Sequence, residues 1–436
     1  MAEQGSVIFA RWLWTPKGVI EDGAIELCQG KINRILEKDE ARRLSGLPGW
    51  RLPHHLLLPG LVNAHTHAAM ALFRGLADDL PLMHWLKERI WPAEEKSVCP
   101  EMVEDGTRLA IAEMIRSGVT AFNDQYFYPE AAAKAVIESG IRARLGLVVL
   151  DMATAYAKDA KAYLDRGLDV IKTFAGEPLV SFSLAPHAPY TVEDGTFREV
   201  AFLAEEHDLS IHLHLHETQE EILESLARHG TRPMERLWRL GLVCKRLLAV
   251  HAVHLSGEEI GLLALQKARV AHCPTSNLKL ASGLAPLAKL VVAGVPVGLG
   301  TDGAASNNRL DVLGEARLAA LLAKGTSGDA QALAAPQALS LATGTGALAV
   351  GFEQAGVIVP GMAADLIAMD LSRIETTPLF DPLSQALYAA GRESVTHLWV
   401  CGQALMENRE LKTLDEEAVL AKAAWWQKRI GAQNGR

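Results

Sequence analysis

The chain is short of cysteine, of clustered basic residues and of long apolar runs, and each shortage removes a class of protein. Its five cysteines (Cys28, Cys99, Cys244, Cys273, Cys401) are odd in number and scattered singly, so neither a disulfide scaffold nor a Cys-rich zinc knuckle is indicated. Cys273, in AHCPTSN, is the only one with chemically interesting neighbours, and a free cysteine is usually packed inside. No Lys/Arg run occurs and the net charge is −9, which argues against a surface built for nucleic acid. No stretch reaches the roughly twenty apolar residues of a membrane-spanning helix. The N-terminus, MAEQGSVIFARWLW, carries an acid ahead of its short apolar part and no basic leader, so a cytoplasmic protein without membrane contact is expected. A Walker sequence is absent too, which removes one common phosphate-cradling turn.

What remains is the composition of a folded globular protein: 436 residues, 49% hydrophobic and 22% charged. That length suits one large domain with an accessory part, or two domains. From about residue 57 to residue 302 a unit recurs: a short β-rich apolar run, a polar or Gly/Pro break, then a segment of helical periodicity. The strand candidates are 57–65, 119–125, 143–151, 179–187, 209–216, 247–252, 269–273 and 296–302. Helices are expected between them, for example over 101–118 and 194–208. Eight such alternations predict an α/β fold, a (β/α)8 TIM-type barrel, rather than an open doubly wound sheet.

The flanks read differently. Short β-like pieces (SVIFARWLW, GAIELCQGKINRILE) precede the repeats and others (ADLIAMD, HLWVCGQALM) follow them. The expectation is a small β-sandwich built from residues 1–56 and 361–436, beside a barrel over 57–360. An amphipathic helix over 414–430 would close the chain. The Ala-rich 329–350 has the apolar spacing of packed helices, not of a linker.

Active sites of such barrels form at the carboxyl ends of the strands, so the residues that end each strand are informative. They are His65 and His67 on strand one, His187 on strand four, HLHLHE (212–217) on strand five, His251 on strand six, His272 on strand seven and Asp302 on strand eight. Side chains at i and i+2 of a strand share a face about 7 Å apart, so His65 and His67 can turn toward one ion about 2 Å from each imidazole nitrogen. A lone HxH is as readily a structural pair; matching ends on five further strands favour a metal site. His212, His214 and His216 all share a face. His214 is the preferred ligand, with His212 a layer deeper and His216 already in the loop, although spacing alone leaves the three open. Glu217 also begins a Glu-rich helical stretch, and Asp302 in TDG also suits a turn.

In this order PGLVNAHTH, HLHETQEE, AVHAVHL, AHCPTSNLKLASG, GLGTDGAASNN and the late TGTGALAVGFEQAGVIVPGMAADLIAMD resemble the amidohydrolase superfamily, most closely its 5′-methylthioadenosine/S-adenosylhomocysteine deaminases. The resemblance implies one divalent metal ion, most commonly Zn2+, on His65, His67, His214 and Asp302. A second metal would need a lysine at strand four, where this chain has SLAPHAPY. The resemblance also implies Glu217 as the proton-transfer acid, Asp302 as acceptor of the water's proton and His251 as the group that holds the developing oxyanion.

The same resemblance implies that the segment 84–95 (HWLKERIWPAEE) is a loop over the pocket, with Trp85 covering a purine nucleoside and Glu94 binding ribose hydroxyls. It places His187 and Ser306 toward that nucleoside and implies a homo-oligomer. The expected reaction is hydrolytic deamination of 5′-methylthioadenosine, and of S-adenosylhomocysteine or adenosine, to the inosine analogue and ammonia. Deamination or dechlorination of another ring, such as guanine or an s-triazine, is the alternative. One departure bears on the substrate. Some relatives carry arginines after strand three for the amino-acid carboxylate of S-adenosylhomocysteine, whereas 151–165 (DMATAYAKDAKAYLD) holds only Lys158 and Lys161, so methylthioadenosine is expected to be the better substrate.

Overall fold

The structure, a computed structural model, describes residues 6–433. Residues 1–5 and 434–436 of the expected terminal unit lie outside the described residues. Two eight-stranded sheets organise the chain. The first four strands are β1 (Ser6–Thr15), β2 (Gly18–Cys28), β3 (Lys31–Leu36) and β4 (Gly49–Pro59). The barrel follows: β5 (Leu61–Thr66), β6 (Val119–Tyr126), β7 (Arg142–Val149), β8 (Val180–Pro186), β9 (Ser210–Leu215), β10 (Leu247–His251), β11 (Arg269–His272) and β12 (Val297–Leu299). The chain then returns through β13 (Leu366–Asp370), β14 (Val395–Val400), β15 (Gln403–Glu407) and β16 (Glu410–Leu411).

β5 to β12 pair in sequence order, every neighbour parallel, and helices alternate with them, Pro100–Arg116 and Asp194–Glu206 among them. This is the (β/α)8 barrel expected. Its strands are buried on both faces, β5 and β6 at every position, which is why they read as apolar runs rather than alternating ones. The barrel closes between β12 and β5. There Asp302 N–H donates to His65 O at 3.0 Å, and the Asn63 amide spans the seam to Thr301 N (3.0 Å) and Thr301 Oγ1 (2.7 Å). The approach is close: a Cβ on Gly300 would lie 2.9 Å from the His65 backbone nitrogen, so that position takes no side chain.

The terminal segments meet in the other sheet, ordered β16-β15-β14-β13-β4-β1-β2-β3. Ile8, Ile25, Leu57, Leu366 and Trp399 share its core. The strand expected over 57–65 divides at Gly60. Leu57 to Pro59 pair with β13 in the terminal sheet, and the barrel strand begins at Leu61. An apolar run continuous through LLLPGLV hides that change of sheet. A Cβ at Gly60 would sit 2.0 Å from the Thr120 hydroxyl, so the bend needs glycine. The Ala-rich segment forms helices over Ala335–Ala342 and Gly344–Val350. The last helix, Glu416–Gln433, lies on Pro100–Arg116, where buried Trp426 donates its indole N–H to Asp105 Oδ2 at 2.9 Å.

Candidate active site

Every expected site residue lies at the carboxyl end of the barrel or on the helix above it. His65 Nε2 and His67 Nε2 each lie 3.2 Å from Asp302 Oδ1. The ring of His214 is 5.0 Å from that of His65 and 5.3 Å from that of His67, and stacks on His251 at 5.5 Å. Ligand atoms of His65, His67 and Asp302 fall within 4.8 Å of one another, as do those of His65, His214 and His251. The expected four therefore converge as two overlapping triads joined through His65, with His251 at the edge.

Three histidines are oriented from behind. His67 Nδ1 donates to Gln125 O at 2.6 Å and His214 Nδ1 to His187 O at 2.7 Å, while His65 Nδ1 meets His212 Nε2 at 2.8 Å. The two carbonyl contacts turn Nε2 of His67 and His214 inward, the arrangement in which histidine binds a metal. Burial pushes the His65 imidazole down to about 3 and His214 well below its ordinary range, so both are neutral, as ligation requires. Imidazole nitrogens facing one carboxylate oxygen in a buried pocket need a proton or a cation between them. Against burial, which lowers it, Asp302 accordingly lifts His67 to about 9, and a bound divalent ion would take that proton's place. The donor set fits a single divalent metal such as zinc.

Asp302 takes a left-handed backbone conformation, φ +59°, which turns its carboxylate back over the seam. Oδ1 faces the histidines and Oδ2 accepts the hydroxyls of Ser276 (2.6 Å) and Ser306 (2.7 Å). Burial pushes this carboxyl up, but the hydrogen bonds of His65 and His67 outweigh it and hold it well below the usual range. Glu217 goes the other way, raised by burial, with His251 the main opposing influence. His251 Nδ1 lies 2.9 Å from Asn277 Oδ1, and its Nε2 is 3.7 Å from Glu217 Oε2. Glu221 braces the loop that carries the acid, since its carboxylate accepts His216 N–H (2.9 Å) and Glu217 N–H (2.8 Å).

A cavity of about 510 Å3 opens over these groups, lined by His67, Trp85, Glu94, His187, His214, Glu217, His251, Asp302 and Ser306 among others. All the expected substrate contacts thus reach one space. The segment 84–95, expected as a loop, is helical: Leu82–Trp85, a π-helical turn Leu86–Ile90, then Trp91–Ser97. Pro92 comes just after the π-helical turn, where the helical run changes its hydrogen-bond pattern. The Trp85 indole N–H is tied to Ala77 O at 3.0 Å. Glu94, raised to about 7 by burial, accepts the Tyr126 hydroxyl on Oε1 at 2.7 Å. The Ser306 hydroxyl is spent on Asp302, not held free for a substrate. His187 Nδ1 lies 3.0 Å from Thr191 Oγ1, and burial takes this imidazole down to about 4.

Sequence reasoning missed Tyr126, Ser276, Asn277, Glu221 and the role of His212 behind His65. The available signal was position: Tyr126 ends a barrel strand and Ser276 and Asn277 follow one, as the recognised residues do. Cys273 is fully buried and burial lifts its thiol well above the ordinary range, which suits a packed thiol and not a nucleophile.

The sequence profile described as the amidohydrolase family matches residues 56–405. A 5-methylthioadenosine/S-adenosylhomocysteine deaminase from Teredinibacter turnerae is 47% identical over 383 residues, covering 88% of this chain and 87% of the relative. Among solved structures, an adenosine deaminase from Xanthomonas campestris with bound zinc superposes with a TM-score of 0.95 at 45% identity, over 98% of both chains. An atrazine chlorohydrolase from Arthrobacter aurescens complexed with zinc has a TM-score of 0.90 at 23% identity, over 97% of this chain and 99% of its own; it shares the fold. A profile match across most of the chain, a relative at this identity and a metal-fit donor set at the strand ends lead to one conclusion: this chain belongs to the amidohydrolase family.

Proposed function

We propose that the protein is a metal-dependent hydrolytic deaminase of adenine nucleosides, with 5′-methylthioadenosine preferred over S-adenosylhomocysteine. The observation that carries the reading is geometric: the buried carboxyls of Glu217 and Asp302 flank one histidine cluster, Glu217 Oε2 3.7 Å from His251 Nε2 and Asp302 Oδ1 3.2 Å from Nε2 of His65 and His67, in a cavity that Trp85 helps line. Two carboxyl groups pushed apart by their surroundings are what an acid and a base at one site require. The deaminase named among the relatives supports the same substrate class.

In this reading His65, His67, His214 and Asp302 would hold one divalent ion, and that ion would supply a water acidified toward neutrality. Asp302 accepts the proton of the attacking water, with Ser276 and Ser306 fixing its other oxygen. Glu217 donates its proton to purine N1 as water adds at C6. His251, aligned by Asn277, presents Nε2 to the attacking water and stabilises its orientation. Asp302 passes its proton to the departing amine, ammonia leaves, and the hydroxyl proton lost as the C6 carbonyl forms restores Glu217.

The part of the cavity away from these groups bears on the 5′ substituent. Phe127, Val148, Leu150, Met152, Ala155 and Tyr156 line it, and no lysine or arginine does; the acidic residues of the lining are Glu94, Glu95, Glu217 and Asp302. Arg166 lies behind Tyr156, 4.1 Å from its ring centroid, with Glu130 at 3.6 Å. An apolar methylthio group suits such a wall, and an amino-acid carboxylate or a phosphate finds no cationic partner there. The unpaired thiols of all five cysteines support a reducing, cytoplasmic setting. Steady-state kinetics test the reading. The expected order of kcat/KM is 5′-methylthioadenosine and adenosine above S-adenosylhomocysteine and AMP, with ammonia released. A clear preference for S-adenosylhomocysteine would overturn the specificity, and turnover of guanine or an s-triazine instead of nucleosides would overturn the function.

A further inference from the structure

We propose that Tyr126 is a positioning residue that sets Glu94 to read the vicinal diol of the ribose; this rests on the adenine-nucleoside reading above. Tyr126 ends β6 and is buried, 5% exposed. Its ring lies 5.4 Å from Phe127 and 6.5 Å from His67. Its hydroxyl therefore projects from the rigid barrel wall and donates to Glu94 Oε1 at 2.7 Å. Glu94 comes from a different element, the helix Trp91–Ser97, which follows directly on a π-helical turn. Both side chains line the same cavity as His67 and Trp85.

No lysine or arginine of that lining stands beside the carboxylate. A neutral phenol is its hydrogen-bond partner, so the direction of Glu94 is fixed by strand β6 and not by an ion pair. An ionised carboxylate offers about four lone-pair positions. With Tyr126 on one of them, Oε2 and the remaining position on Oε1 are left for donors in the cavity. Two adjacent hydroxyls supply two such donors in the geometry a carboxylate accepts. A substrate without them leaves Glu94 without that match, whatever its base. Tyr126 then acts through Glu94 on substrate recognition, and its loss is felt in binding rather than in the chemical step.

The test compares adenosine with 2′,3′-dideoxyadenosine on the metal-loaded wild type, Tyr126→Phe, Glu94→Gln and the double variant, with kcat and KM measured separately. For Tyr126→Phe the expected result is a KM for adenosine raised about tenfold, the scale of one hydrogen bond to a charged group, with kcat little changed. Both constants for 2′,3′-dideoxyadenosine should stay at the wild-type values, which also reports an intact fold. The double variant should be no worse on adenosine than Glu94→Gln alone, because the phenol acts through that carboxylate. An unchanged KM for adenosine, an equal loss on both nucleosides, or additive losses in the double variant would overturn the proposal. If Glu94→Gln weakens both nucleosides equally, the diol is not read by Glu94 and the proposal falls while the deaminase reading stands. If wild type releases ammonia from neither nucleoside, the deaminase reading itself falls.

Discussion

Glu217 and Asp302 are both buried carboxyl groups, and their surroundings drive them apart. Glu217 has His251 as its main opposing influence and stays raised by desolvation; Asp302 collects two histidines and two serine hydroxyls and stays low. Glu217→Gln keeps the shape and removes the transferable proton, so kcat on 5′-methylthioadenosine should fall by about 10²- to 10⁴-fold while the metal content of the protein is unchanged. Glu221→Ala should also lower kcat, since it strips two backbone N–H groups of the carboxylate that fixes the Glu217 loop; a kcat equal to wild type would refute that brace. Burial lifts Glu94 to about 7, and protonation turns one of its acceptor oxygens into a donor, which weakens its hold on two hydroxyls. The KM for ribonucleosides should therefore rise as pH falls through about 7, and the KM for 2′,3′-dideoxyadenosine should not follow it. His65, His67, His214, Glu217 and Asp302 were legible because each ends a strand or follows it directly. Ser276, Asn277 and Tyr126 share that placement but were missed, because their residue types do not announce metal or proton chemistry and they act through hydrogen bonds to residues far along the chain, of which one sequence carries no record.

The seam between β5 and β12 is the element on which the donor set depends. β12 spans only Val297–Leu299, and Asn63 supplies through its side chain part of the pairing that a longer strand would supply through its backbone. Asn63→Ala should leave the buried Thr301 N–H without its partner, costing about 1–3 kcal/mol, and should loosen Asp302, whose backbone is held by His65 O and Thr66 Oγ1. Urea denaturation and metal affinity should both report it. At the other end of the chain, Trp426→Ala removes a fully buried indole and its bond to Asp105. The expected loss is about 3–5 kcal/mol in unfolding, with kcat little affected, because no residue of that helix lines the cavity. All eight barrel strands were legible from apolar runs punctuated by Gly, Pro and charge. The change of sheet at Gly60 was not, since hydrophobicity runs on through it; nor was the helical form of 82–97, where Pro92 reads as a breaker although the helical run continues past it.

Across the whole molecule, one chain closes a parallel barrel between the two halves of a sheet made by its ends, and β4 beside β13 joins them. The order of the long motifs made the fold and family legible, because the strand-end motifs depend on the barrel that brings them together. The net charge of −9 told only which partners to disfavour, and among the described residues no helix is long and apolar enough to cross a membrane. A metal that binds only the folded chain adds to its stability, by about 4 kcal/mol at a free concentration a thousand times its Kd. Chelation should accordingly lower Tm as well as abolish turnover, with both restored by zinc. The central claim is that a single metal ion, gathered by His65, His67, His214 and Asp302, equips the barrel to deaminate an adenine nucleoside. Its most direct test is ammonia release from 5′-methylthioadenosine by metal-free protein titrated with zinc. The account predicts activity that rises linearly and saturates at one equivalent per chain; saturation at two equivalents, or no ammonia at any loading, would contradict it.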